Sequence, residues 1–211
     1  MTENQRREQI CLLGKSLFDR GYTHGSTGNL SAKLDDGWLL TPTNSCLGRL
    51  DPARLSKLSW DGKLLAGDAP SKESFLHLAM YEERASFGAV VHLHSSHSVA
   101  VSLLESVDPN DVLPALTAYY VMRIGRLPLV PYFKPGDMAL ANAVREVAKK
   151  HHALLLANHG PVVAGTSLNA AVDAVEELEE TARIFLQVRG ERLRTLTPQQ
   201  VDELRSAYPL P

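Results

Sequence analysis

The chain has 211 residues, of which 44% are hydrophobic and 22% are charged, and its formal net charge is −2. This length suits one domain with a sizeable core, and a mildly acidic chain lacks the basic stripe that nucleic-acid binding requires. The sequence shows no apolar run of the roughly 20 residues that cross a bilayer, no signal peptide and only two cysteines, Cys11 and Cys46, which favours a reducing cytoplasm.

The first third of the chain predicts two helices separated by loops and short strands. Apolar residues at helical spacing precede a stop at Arg20-Gly21 and predict the first helix. Glycines among polar residues, followed by the apolar run 38–40, predict glycine-rich loops between short strands. A second helix is expected from Ser71, which would cap it. Phe75, Leu78, Ala79 and Glu82 would share one face of it.

The rest of the chain alternates between strand-like and helical segments. Strands are predicted over 89–94, 127–132, 153–157 and 161–164, and the prolines of the second favour a sheet edge. Helices are predicted from Ser98 to Leu104, after Asp137, and after Ser167, which would begin a long last helix. The sum is a single α/β domain over residues 1–211, with its core at about 6–189 and a peripheral tail at about 195–211.

His92 and His94 give the strongest chemical signal. Side chains two apart in a strand point to the same face, so both imidazoles can reach one ion. His159 lies where one apolar strand turns into the next, and three protein ligands are typical of catalytic zinc. The alternative is that a His-x-His pair is merely polar or packed, and five other histidines compete with these three: His24, His77, His97, His151 and His152. The last two end a helix, where a cation is favourable anyway, and His97 could instead orient a ligand.

Glu73 and three small polar loops could form the rest of a site. An acidic residue near a helix start is usually a complement to the helix dipole, so Glu73 has both a structural and a catalytic interpretation. The same helix start offers free N–H groups, a hydroxyl and the Lys72 ammonium, which suit a phosphate. Gly28-Asn29 and Thr43-Asn44-Ser45 are further turn-forming stretches. They would serve a phosphate only if all three loops meet in space.

Five short segments, in order along the chain, resemble the class II aldolase and adducin family: 26–31, 40–43, 70–73, 90–94 and 158–160. The resemblance implies an α/β/α sandwich around a largely antiparallel sheet, assembled as a homotetramer with active sites at subunit interfaces. It implies one zinc ion per subunit, with His92, His94 and His159 as ligands and Glu73 as catalytic acid/base and possible ligand. It also implies a phosphate site formed by Gly28, Asn29, Thr43, Asn44, Ser71 and Lys72. Either Tyr119 or Tyr120 would assist proton transfer.

The Pro-Ser-Lys-Glu segment 70–73 and segment 119–128 are similar to a narrower branch of the family. Its members decarboxylate a phosphorylated four-carbon 3-oxo sugar acid through a metal-stabilised enediolate. Asn44 and Lys72 depart from the aldolase pattern, which has Gly and Ser there; Asn tolerates positive φ, and Lys72 adds a positive charge. The alternatives are a zinc-dependent sugar-phosphate aldolase or epimerase, and a non-catalytic adducin-like interaction domain.

Overall fold

A computed structural model describes residues 1–134 and 137–210 and shows one mixed, mostly antiparallel sheet of eight strands. The strands are β1 Asn29–Leu34, β2 Gly37–Leu40, β3 Ser56–Leu58, β4 Leu64–Ala66, β5 Ala89–His92, β6 Leu129–Val130, β7 Ala153–Leu156 and β8 Gly160–Gly165. Their order across the sheet is β4-β3-β2-β1-β5-β8-β7-β6. Every neighbouring pair is antiparallel except β6 and β7. The expected single α/β domain with a largely antiparallel sheet is therefore confirmed.

Seven α-helices lie within the described ranges. They are α1 Glu3–Asp19, α2 Ser74–Glu83, α3 Ser96–Ser102, α4 Ala118–Arg123, α5 Met138–Ala148, α6 Leu168–Gln187 and α7 Pro198–Ala207. The predicted caps Asp137 and Ser167 each accept a hydrogen bond from a backbone N–H of the first turn, which satisfies a donor with no partner inside the helix. Among these described helices, none is long and apolar enough to span a membrane.

The sheet is buried on both faces around β5 and β7, in which every residue is buried. In β5, Val90 belongs to one core and Val91 to the other, and Leu154 and Leu155 of β7 divide in the same way. Successive strand side chains point to opposite faces. Residues of α1, α3 and α6 fill the first core, whereas residues of α2 and α5 fill the second.

Several predicted boundaries are wrong for identifiable reasons. Helix α2 begins at Ser74 rather than Ser71, because Ser71 belongs to a preceding turn in which its carbonyl accepts from Ser74 N–H. The inward face of α2 carries Leu76, Ala79 and Met80, whereas Glu82 is exposed. The strand expected over 89–94 ends at His92, so His94 lies just beyond it.

The helix after Ser167 is not the last helix. Helix α7 follows it, and Thr197 and Gln200 form a capping box that the sequence pattern Thr-Pro-Gln-Gln could have revealed. Val201 is buried by this helix in the first core. Strand β6, predicted over 127–132, is only two residues long but does lie at the sheet edge.

Candidate active site

Three neighbouring strands bring the predicted histidines to one edge of the sheet. Antiparallel pairing sets Asn29, at the start of β1, opposite His92, at the end of β5. On the other side of β5, His92 pairs with Val162, so the turn that begins β8 carries His159 to the same edge. The turn is tight because Asn158 has a φ of 59°.

Gly160 allows the β8 turn to approach the segment that carries His94. Its φ is +150°, and a Cβ atom there would lie only 2.2 Å from the carbonyl oxygen of Leu93. Only glycine fits a backbone held this close. His94 and His159 consequently face each other, with their Nε2 atoms 3.0 Å apart.

Glu73 completes a cluster of four potential ligands with His92, His94 and His159. One potential ligand atom from each of the four lies within 4.8 Å of all the others. Glu73 Oε1 lies 3.0 Å from His159 Nε2, and Oε2 lies 3.5 Å from His92 Nε2. Glu73 is the N-cap residue of α2 and directly precedes its first residue, Ser74.

The orientation of His92 fits a metal ligand. Its Nδ1 lies 2.8 Å from the carbonyl oxygen of Pro161, and a carbonyl can only accept, so Nδ1 carries the hydrogen. Nε2 therefore presents a lone pair toward Glu73, and this buried atom has no hydrogen-bond partner among the described residues. Metal-bound histidines characteristically donate their other N–H to a carbonyl or carboxylate, so the donor set suits a divalent cation such as zinc.

The charge states of the cluster also favour a cation. Burial opposes ionisation of Glu73, but attraction to His92 and a hydrogen bond from His159 outweigh it and hold the pKa of Glu73 well below its usual range. Burial, with the nearby His92 and His159, lowers the pKa of His94 to about 3. Burial would lower the pKa of His92 too, but the Glu73 carboxylate raises it. A cation would thus meet an ionised carboxylate and a neutral His94, and would compete with a proton on His92.

The cluster opens onto a cavity of about 330 Å³. The structure brings all six residues of the expected phosphate site together around this cavity, along with Glu73 and His94: Gly28, Asn29, Thr43, Asn44, Ser71 and Lys72. Ser26, Thr27 and Pro42 also line it, and sequence reasoning assigned none of these three a role. The three loops therefore do meet in space, as a phosphate site would need.

Backbone contacts join two of these loops. Thr43 N–H donates to Ala69 O at 2.9 Å, and Pro42 pairs with Pro70 in an isolated bridge. Asn44 has a φ of 55°, as expected for the residue that replaces glycine in the aldolase pattern. These contacts fix the Thr43 loop beside the turn that carries Ser71.

Ser71 is prepared to donate into the cavity. Its Oγ accepts from Glu73 N–H and from the Asn29 side-chain amide, both at 3.2 Å. A hydroxyl that accepts twice keeps its own hydrogen for a third partner. Beside it, Lys72 is exposed and supplies the positive charge at this end of the cavity.

The two candidate tyrosines lie on α4 in opposite environments. Tyr119 is 60% exposed, whereas Tyr120 is 1% exposed and its hydroxyl is buried with no hydrogen-bond partner among the described residues. Neither is among the described residues that line the cavity of Glu73. Of the two tyrosines, only Tyr119 is exposed at the surface.

Two of the other histidines, His97 and His152, have partners outside the cluster. His97 Nδ1 lies 2.8 Å from Glu179, a buried carboxylate of α6 that also accepts from the backbone N–H groups of His97 and Ser98. His97 therefore helps to join α3 to α6. His152 is buried, with Nδ1 2.9 Å from Ala164 O, which agrees with a structural role.

His77 is the residue at this site that sequence reasoning did not select. It is fully buried in α2, and its two ring nitrogens contact Asn29 and Ser31. The sequence feature that could have identified His77 is its spacing from Glu73. The two residues are four apart, and residues four apart share a helix face.

Comparisons with known proteins agree with this geometry. Residues 8–186 match the class II aldolase and adducin N-terminal domain. The chain is 52% identical over 205 residues to 3-oxo-tetronate 4-phosphate decarboxylase of Escherichia coli O6:H1, with 97% of each chain covered. It is 48% identical over 211 residues to the protein of that name from Cupriavidus necator, covering 98% of this chain and 97% of the relative. The crystal structure of YgbL from Escherichia coli matches with a TM-score of 0.94 at 48% identity, covering 96% of this chain and 99% of that one.

Proposed function

We propose, since this chain belongs to the class II aldolase and adducin family, that it is a zinc-dependent carboxy-lyase converting 3-oxo-tetronate 4-phosphate into dihydroxyacetone phosphate and CO2. The observation that carries the proposal is one cavity lined by both kinds of group. Glu73 and His94 of the metal cluster line it, together with Ser71, Lys72 and the other residues of the phosphate cradle: Gly28, Asn29, Thr43 and Asn44. A phosphorylated 3-oxo acid needs a metal site and a phosphate site side by side.

The zinc ion would be held by His92, His94 and His159, and when bound it would supply Lewis acidity at the 3-oxo oxygen. Breaking the C1–C2 bond releases CO2 and leaves the electron pair on an enediolate of C2 and C3. A proton delivered to C2 then gives dihydroxyacetone phosphate. The N–H groups and hydroxyls of the cradle would hold the phosphate, and Lys72 would offset its charge.

Glu73 is the side chain placed to manage the proton. Its two oxygens face His159 and His92, and it lines the cavity in which the substrate would lie. A carboxylate at this position could also serve as a metal ligand, and after taking up a proton from solvent in the cavity it could deliver that proton to C2 of the enediolate. Tyr119 of a neighbouring subunit is our candidate for assisting that transfer.

The finer features of the family pattern complete the proposal. They are a three-layer α/β/α sandwich, a cytoplasmic homotetramer with active sites between subunits, one zinc ion per subunit, and a role in four-carbon sugar-acid catabolism. The exposed position of Tyr119, outside the cavity of its own chain, supports shared active sites. Three imidazole donors support zinc over magnesium, which prefers oxygen ligands.

The test is turnover of freshly generated 3-oxo-tetronate 4-phosphate by zinc-loaded protein, with dihydroxyacetone phosphate measured by a coupled reductase. We expect product formation that stops on chelation and returns with zinc. Protein with one zinc ion per chain and no turnover would contradict decarboxylation. The same sample would then be tried on sugar-phosphate aldol and epimerase substrates, because an aldolase passes through the same type of enediolate. Failure to bind metal would instead favour the interaction domain.

A further inference from the structure

A buried chain of hydrogen bonds runs from Glu73 into the protein. Glu73 Oε2 accepts from the side-chain amide of Asn29 at 2.7 Å, and Asn29 Oδ1 lies 2.5 Å from His77 Nε2. His77 Nδ1 lies 2.7 Å from Ser31 Oγ, which lies 2.7 Å from the Tyr81 hydroxyl. Four of these five side chains, all except Glu73 at the cavity, are buried.

The side-chain amide of Asn29 fixes the direction of every bond. Its nitrogen faces the oxygens of Glu73 and Ser71, and its oxygen faces His77, so the amide donates to Glu73 and accepts from His77. His77 Nε2 must then donate. Burial, with a contribution from His92, lowers the pKa of His77 to about 3, so the ring is neutral and its Nδ1 accepts.

The outer residues complete the same pattern. Because His77 Nδ1 accepts, the Ser31 hydroxyl must donate to it, and the Ser31 oxygen then accepts from the Tyr81 hydroxyl. The tautomer of His77 is therefore fixed from the Asn29 side, and the hydroxyls of Ser31 and Tyr81 adapt to it. The opposite tautomer would place two acceptors, His77 Nε2 and Asn29 Oδ1, face to face, which is costly in a buried site.

The side chain of Asn29 has no spare polar capacity. Its oxygen receives His77, and its amide nitrogen donates to Glu73 and, at 3.2 Å, to Ser71. Asn29 lines the cavity, but both hydrogens of its side-chain amide are donated within the protein. This side chain would therefore influence a bound phosphate through Ser71, whose hydroxyl it leaves free to donate.

We propose that Asn29 and His77 are positioning residues for Glu73: the fixed His77 tautomer keeps the amide of Asn29 turned so that its N–H holds one oxygen of Glu73. The other oxygen, Oε1, is then presented to His159 and the metal position. This inference deepens the proposed function and rests on it, because it assigns the pair a role through Glu73. Loss of such supporting contacts typically costs 10–100-fold in activity or metal affinity.

Two variants of His77 separate positioning from packing. His77→Gln keeps a side-chain N–H where Nε2 lies, whereas His77→Met fills similar space without a donor. For the zinc-loaded enzyme, we expect His77→Met to lower kcat or weaken zinc binding about 10–100-fold while KM changes less than about threefold. His77→Gln should recover most of both losses. Equal losses in the two variants, with both folded by circular dichroism, would overturn the proposal.

A third readout does not depend on activity. Nitrogen-15 NMR of histidine-labelled protein should show His77 protonated at Nε2 and unprotonated at Nδ1, with the signal identified by its absence in His77→Gln. A proton on Nδ1 would overturn the proposal even in an active enzyme. If wild-type protein shows the expected tautomer and zinc response but no decarboxylation, the proposed function fails while the positioning role stands.

Discussion

Gly28 offers a sharp test of whether a change in the phosphate cradle also disturbs the metal cluster. It has a φ of +80°, precedes Asn29 directly, and a Cβ atom there would meet His92 O at 3.0 Å and Leu93 Cδ2 at 3.1 Å. An alanine held in the left-handed region lowers the free energy of unfolding by about 1–2 kcal/mol. About 0.4–1 kcal/mol of this is offset, because alanine reduces the conformational entropy of the unfolded chain. The contact with His92 O is an extra cost, because the carbonyl belongs to a strand, and overpacking typically costs about 1–3 kcal/mol.

Gly25→Ala is the matched control. Gly25 has a φ of +57°, and no atom of the described residues lies within 4 Å of where its Cβ would be, so it carries the conformational cost alone. Urea unfolding of metal-free protein should show Gly28→Ala less stable than Gly25→Ala by about 1–3 kcal/mol. Zinc titration should show weakened affinity only in Gly28→Ala, since His92 must move. Equal stability losses and unchanged zinc affinity in both variants would refute the coupling.

Four further predictions address individual roles. His94→Ala should abolish stoichiometric zinc by elemental analysis, yet change the unfolding free energy in chelator by less than about 1 kcal/mol, since its Nε2 faces an open site. Lys72→Ala should raise KM for the phosphorylated substrate about tenfold or more, the equivalent of about 1.4 kcal/mol, and barely affect a non-phosphorylated analogue. Tyr119→Phe should lower kcat, whereas Tyr120→Phe should leave kcat unchanged. Tyr120→Phe should also not destabilise the protein, because the hydroxyl that it removes is buried and has no hydrogen-bond partner among the described residues. Glu179→Gln should lower the unfolding free energy by about 2–3 kcal/mol, because the charged acceptor of several hydrogen bonds is lost; a loss under 0.5 kcal/mol would contradict that role.

Local chemistry explains which elements could be predicted from the sequence. Asp137 and Ser167 mark real helix starts because a cap is satisfied within its own first turn. The strands on either side of Asn158-His159-Gly160 form an adjacent hairpin, so their pairing also depends on nearby residues. The cluster of His92, His94 and His159 could be predicted because each of these residues lies at or beside the end of an apolar strand.

Elements that depend on distant partners were missed. The edge strand β4 is exposed at all three positions, so it has no apolar alternation to detect. Helix α4 is only six residues long and packs on α6 and α7. The choice between Tyr119 and Tyr120 also required burial, because neighbouring residues of a helix look alike in sequence and face different surroundings in the fold.

The hydrogen-bonded chain behind Glu73 follows from a match between two periodicities. Glu73, His77 and Tyr81 are spaced by four along the start and body of α2, and residues four apart rise about 6.0 Å. Asn29 and Ser31 are spaced by two on β1, where residues two apart rise about 6.6 Å. Side chains at these intervals can interleave, which the observed order Glu73–Asn29–His77–Ser31–Tyr81 shows. Each spacing is visible in the sequence, but only the packing of α2 against β1 makes them one network, so the hydrogen-bonded support of Glu73 is a property of the tertiary structure.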